Sequence, residues 1–115
     1  MDKRKIGNEF EDMAASYLVD SGYIILDRNY YFKHLEIDII ALDKNTKDIV
    51  FVEVKYRKDD SFGGAEYAIS QNKIKNLRLA ALGFLRKNGY SADSFMRFDC
   101  ILITGDKINH VKNAW

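Results

Sequence analysis

Four charged residues interrupt two otherwise apolar stretches of this sequence, at a spacing that could do chemistry. Glu36 and Asp38 stand in Glu36-Ile37-Asp38-Ile39-Ile40-Ala41, and Glu53 and Lys55 in Val50-Phe51-Val52-Glu53-Val54-Lys55. Residues two apart project from the same face of a strand, so each pair shares a face. If the strands are neighbours with that face in common, three carboxylates and one ammonium converge. Gathered carboxylates repel one another unless a cation sits among them. Lys55 undercompensates the three acids, and a hard divalent cation with oxygen ligands, Mg²⁺ or Mn²⁺, fits the deficit.

The chemistry would be metal-assisted hydrolysis of a phosphodiester, in which the ion activates a water and stabilises charge building on the phosphate. In that reading Asp38 and Glu53 hold the metal, with the backbone carbonyl of Val54 as a further ligand. Lys55 orients the attacking water and neutralises the transition state. A second reading of the same spacing is a plain Glu53–Lys55 salt bridge on a solvent-facing strand. Asp38, about 15 residues upstream and one hairpin away, strengthens the metal reading and leaves both standing.

The elements that must position these residues follow from periodicity. Phe10, Met13, Ala14, Tyr17 and Leu18 form one apolar stripe, which predicts a helix over about 6–20, stopped by Ser21-Gly22. Residues 23–31 read as a strand. Residues 36–42 read as a second, with Ile37, Ile39 and Ala41 on one face and Glu36, Asp38 and Ile40 on the other. Asp43-Lys44-Asn45-Thr46 is a turn into the strongest strand, 48–56, completing an antiparallel hairpin. A loop over 59–64 precedes a second helix, about 70–88, whose inner side is Ile74, Leu77, Ala81, Phe84, Leu85 and Asn88. A buried strand over 95–103 and an edge strand over 107–111 follow. The expected order is α-β-β-β-α-β-β: a mixed sheet flanked by helices, of α/β or α+β class.

Composition fits one domain spanning 1–115. The chain has 47% hydrophobic residues and no proline, so collagen-like and disordered classes are excluded. A lone cysteine, Cys100, excludes an internal disulfide or a multi-cysteine zinc site, and reads as a buried small hydrophobe. No apolar run is long enough to span a bilayer, and a cytoplasmic protein without membrane association is expected. The net charge of +1 neither requires nor forbids a nucleic-acid partner. His34 and His110 belong to no recognisable nucleophile or zinc motif and read as surface residues.

The acidic motifs, taken with their flanks, resemble the small YraN-like bacterial family of the PD-(D/E)xK nuclease superfamily, close to archaeal Holliday-junction resolvases. Glu11-Asp12-Met13-Ala14-Ala15-Ser16-Tyr17-Leu18 is similar to its first helix, and Gly22-Tyr23-Ile24-Ile25 with Arg28-Asn29-Tyr30 to its first strand. Arg97-Phe98-Asp99 is similar to its late strand and Asn113-Ala114-Trp115 to its ending. The resemblance implies a restriction-endonuclease-like fold and a triad of Asp38, Glu53 and Lys55. It adds Glu11, on the first helix, as the acid completing the metal site. Leu35 and Phe10 stand where the family often has glycine, which adds bulk near that site.

Glu36 is either a further metal or water ligand or a partner of Lys33 or Arg57. Arg57, Lys58, Lys73 and Arg78, with Gln71 at the start of the second helix, could line a rim that contacts backbone phosphates. The same lysines and arginines could equally be an ordinary solvated face. The expected function is a Mg²⁺- or Mn²⁺-dependent endonuclease acting on branched or otherwise structured DNA in repair or recombination, favouring a symmetric homodimer. The alternatives are a non-catalytic nucleic-acid-binding module with the same fold and an interaction protein whose acids are merely solvated.

Overall fold

The computed structural model describes residues 3–58, 70–91 and 94–115. The elements run α1 (Lys3–Asp20), β1 (Tyr23–Phe32), β2 (Leu35–Asp43), β3 (Ile49–Arg57), α2 (Gln71–Lys87), β4 (Met96–Thr104) and β5 (Lys107–Val111). This is the expected α/β order. The strands form one mixed sheet in the order β1-β2-β3-β4-β5. β1, β2 and β3 are antiparallel neighbours, β4 runs parallel to β3 after the α2 crossover, and β5 returns antiparallel at the edge. The loop expected over 59–64 lies outside the described residues.

Each helix covers one face of the sheet. Ala14 and Leu18 of α1, one turn apart, pack with Ile39, Ala41, Val50, Val52, Ile101 and Ile103. Leu77, Ala80, Ala81, Phe84 and Leu85 of α2 pack with Ile37, Ile40, Ile49 and Phe51. Along β3 the alternation is regular, with Ile49 and Phe51 toward α2 and Val50 and Val52 toward α1. The Ser70 hydroxyl caps α2 by accepting the Lys73 N–H at 3.1 Å. Asn88 is not on the inner side of α2 as expected. It is exposed beyond the last turn, and its side-chain amide donates to the Phe84 carbonyl at 2.9 Å.

The face assignment of β2 also needs correcting. Ile37 packs toward α2 with Ile40, whereas Ile39 and Ala41 pack toward α1. The cause lies in the neighbouring strand, where Asn29 has a left-handed φ of 54°. Asparagine tolerates that conformation better than most residues. It stands between the pairs Arg28↔Ile39 and Tyr30↔Ile37, at the position that faces Asp38. Two-residue alternation fails there: Arg28 reaches Asp12 on α1, while Tyr30 lies edge-on to Phe84 of α2.

The β2–β3 ladder pairs only residues 39–42 with 49–52. Beyond Ile39 and Val52 the two strands part, while β3 remains paired with β4 as far as Arg57↔Thr104. Asp38 and Glu53 are the first residues past this fork.

A buried polar network ties the other end of the sheet together. The Arg97 guanidinium donates to Asp99 at 2.9 Å, to Asp43 at 3.1 Å and to the Tyr23 hydroxyl at 2.7 Å. Asp99, with no solvent exposure, also meets His110 Nε2 at 2.7 Å, and Nδ1 of the same ring lies 2.9 Å from the Tyr17 hydroxyl. His110 is therefore not a surface residue as expected: its side chain is 5% exposed and joins β5 to α1. His34 is exposed and Cys100 buried, as the sequence suggested.

Candidate metal centre

The fork creates the site. With β2 and β3 no longer exchanging ladder hydrogen bonds, the Val54 amide is satisfied by a side chain: Asp38 Oδ2 accepts it at 2.8 Å. Within a strand the N–H and C=O of one residue point to the same side, so the Val54 carbonyl faces the same gap. One oxygen each from Glu11 of α1 and from Glu36 and Asp38 of β2 lie within 4.8 Å of one another. Glu11 reaches the fork because it follows the α1 stripe and is itself only 12% exposed at its side chain.

Two residues that sequence reasoning had not singled out organise this cluster. The Asn29 side-chain amide donates to Glu11 at 2.8 Å and to Glu36 at 3.0 Å, bridging helix and strand. Tyr31, paired with Glu36 across the ladder, hydrogen-bonds the Glu36 carboxylate. The available signal was the asparagine itself, a poor strand former amid β-branched and aromatic residues. Glu36 thus takes Asn29 and Tyr31 as partners, while the Lys33 ammonium lies over the Phe32 ring.

The electrostatics separate two neighbouring carboxyls. The Tyr31 hydrogen bond, with help from Asn29 and Asp38, holds Glu36 below its usual range against the effect of burial. Asp38 is pushed up to about 7, chiefly by burial and further by Glu11, Glu36 and Glu53, against the opposing Val54 N–H. Near neutral pH Asp38 is therefore partly protonated beside an ionised Glu36, and a cation seated there would displace that proton. The donor set is all hard oxygen, which suits Mg²⁺ or Mn²⁺. The three oxygens, within 4.8 Å of one another, would have to draw in by up to about 2 Å to share one such ion, which side-chain rotation of the two glutamates can supply.

Glu53 and Lys55 occupy the other flank of the fork. Regular alternation along β3 carries Glu53 toward α2, where its Oε1 lies 3.0 Å from Lys73 Nζ. The common face expected for all four charged residues is therefore not formed, because β2 reverses its facing between Ile37 and Ile39, opposite Asn29 and with its pairing to β1 unbroken, while β3 keeps its alternation. The two flanks meet in a narrow cleft lined by Glu36, Glu53, Leu77 and Trp115, and Lys55 Nζ lies 6.0 Å from the centre of the Trp115 ring. Gln71, Arg78 and Lys58 are exposed, and Arg57 is half-buried. Phe10 stacks on Tyr56 at 3.7 Å, and Leu35 packs against the α2-side core, so both bulky residues at glycine positions of the resembled family are accommodated by packing.

A pH dependence follows. Asp38 holds its proton in the folded state until about pH 7 but loses it near its ordinary value of 3.8 when unfolded. The folded state then binds more protons, so stability falls as pH rises between roughly 4 and 7, by at most about 1.4 kcal/mol per pH unit. Chemical denaturation of metal-free protein at pH 5, 6 and 7 should show this decline, flattening above pH 7.5.

The profile of the uncharacterised protein family UPF0102 matches residues 10–103. A UPF0102 protein of Fusobacterium nucleatum subsp. nucleatum is 44% identical over 113 residues, covering 98% of this chain and 92% of its own. One from a Sulfurihydrogenibium species is 44% identical over 115 residues, covering 100% and 97%. Among solved structures, a repair endonuclease from Pyrococcus abyssi is similar with a TM-score of 0.46 and 14% identity, over 90% of this chain and 38% of that one.

Proposed function

The chain belongs to the UPF0102 family, the YraN-like family its motifs resemble, and from that premise we propose that the fork is a divalent-metal site for hydrolysis of DNA phosphodiester bonds. The observation that carries this reading is the trio Glu11, Glu36 and Asp38, gathered within 4.8 Å, where burial first and the neighbouring acids second keep the Asp38 proton on to about pH 7. A purely structural cluster gains nothing from such crowding.

Glu11, Glu36 and Asp38 would hold Mg²⁺ or Mn²⁺, with the Val54 carbonyl and Glu53 as further ligands. When bound, the ion lowers the pKa of a water and stabilises the charge developing on the scissile phosphate. Asn29 holds two of the carboxylates in place from the second layer. Lys55 donates to the attacking water and to the phosphate oxygens. Lys73, at the amino end of α2 and 41% exposed at its side chain, leaves Glu53 for a backbone phosphate as DNA enters, freeing Glu53 for the ion. Gln71, Arg57, Lys58 and Arg78 would contact further phosphates, which positions the strand without reading its sequence. Cutting both strands of a branched DNA needs two such sites, which a symmetric pair of chains supplies. Among the described residues no helix is long and apolar enough to cross a membrane.

The test is a cleavage panel of single-stranded, duplex, flap and four-way DNA with Mn²⁺ or Mg²⁺. Wild type should cut at least one form and Lys55→Ala should not. Absence of cleavage of every form with both metals overturns the proposal.

A further inference from the structure

Glu53 and Lys55 project from the same face of β3 and would be expected to pair with each other, yet among the described residues Glu53 pairs with Lys73. The Lys55 ammonium lies instead over the indole of Trp115. That tryptophan is not carried there by a helix or strand. Its segment is fastened to β4 by two main-chain anchors. The Asn113 N–H donates to the buried Asp99 carboxylate at 3.1 Å, and the Ala114 N–H donates to the Phe98 carbonyl at 2.8 Å. Asn113 has a left-handed φ of 53°, a turn that falls between its own anchored N–H and that of Ala114. The ring then lines the same cleft as Glu36 and Glu53.

We propose that Trp115 is the positioning residue for Lys55, its indole face holding the ammonium at the mouth of the cleft and away from Glu53. The proposal rests on the role given to Lys55 above. An aromatic face attracts a cation without accepting its N–H groups one by one as a carboxylate does. The donors of the ammonium therefore stay available to a water and to phosphate oxygens. A carboxylate partner would instead fix Lys55 in an ion pair and occupy Glu53 as well. Asp99 acts at a further remove, since it holds the Asn113 amide that leads into Trp115.

The test compares wild type with Trp115→Ala and Trp115→Phe, using NMR of Lys55 beside single-turnover cleavage of the preferred DNA form with Mn²⁺. In wild type the ε-methylene protons of Lys55 should be shifted upfield by the indole ring current. Trp115→Ala should remove that shift and lower the maximal single-turnover rate constant about tenfold, with the half-saturating protein concentration changed less than about twofold. Trp115→Phe, which keeps an aromatic face, should restore part of both. Identical Lys55 signals in wild type and Trp115→Ala, or equal loss of activity in the Phe and Ala variants, would overturn the proposal. If wild type cleaves no DNA, the nuclease reading falls separately, and the ring-current comparison alone decides whether Trp115 holds Lys55.

Discussion

Replacing Asp38 with asparagine is expected to lower metal-dependent DNA cleavage by at least about a hundredfold while making the metal-free protein more stable above pH 7. The two effects have one cause. Above pH 7 the fold carries an ionised carboxylate that burial and three neighbouring acids disfavour. Asparagine removes that charge, and its side-chain oxygen can still accept the Val54 N–H that Asp38 now takes at 2.8 Å. The gain should reach about 2–4 kcal/mol at pH 8, and the decline of stability between pH 4 and 7 should flatten. A residue that merely supports the fold would lose stability and activity together. Denaturation curves and cleavage rates measured on the same preparations distinguish the two, and parallel losses would remove Asp38 from the chemistry.

Arg97→Met is expected to be severely destabilising, by roughly 3–5 kcal/mol, a large share of what a chain of this size has. Burial pushes the Asp43 and Asp99 carboxyls up. Backbone amides and Arg97 at Asp43, and His110, Arg97 and the Asn113 amide at Asp99, outweigh it and hold both below their usual range. Methionine fills much of the volume but leaves both acids short of a cation, one of them with no solvent exposure. In wild type the stability from these depressed carboxyls is present above their ordinary value near 4 and is lost as pH falls through the still lower folded values. In the variant the acids should prefer to be protonated, so its deficit should shrink as pH falls from 7 to 5. Urea denaturation at those two pH values measures this, and a deficit independent of pH would show that Arg97 acts through packing alone.

Much of the fold could be read from pattern. Ala14 and Leu18 mark the buried side of α1, and Ile49 to Val52 alternate between the two cores as their spacing required. What escaped was set by single backbone angles and by long-range charge. Asn29 at φ 54° reverses the facing of its neighbours, and no two-residue rule registers that. Glu36 was visible as an acid sharing a face with Asp38, but its partners Asn29 and Tyr31 come from a neighbouring strand whose register sequence does not give. Arg97 and Asp99 carried a signal in an otherwise apolar strand, two charges in a segment buried on both sides. Their partners stand 54 positions away at Asp43 and 11 at His110, so only the fold reveals the network.

Calorimetric titration of Mn²⁺ at pH 7, in two buffers of different ionisation enthalpy, reads whether a cation takes the place of the Asp38 proton. A cation seated among Glu11, Glu36 and Asp38 must displace the proton that Asp38 holds to about pH 7. Saturable binding should therefore release about half a proton at pH 7 and almost none at pH 8.5, and should be lost in Asp38→Asn. Absence of saturable heat in wild type, or equal binding by the asparagine variant, would mean that Glu11, Glu36 and Asp38 hold no divalent cation.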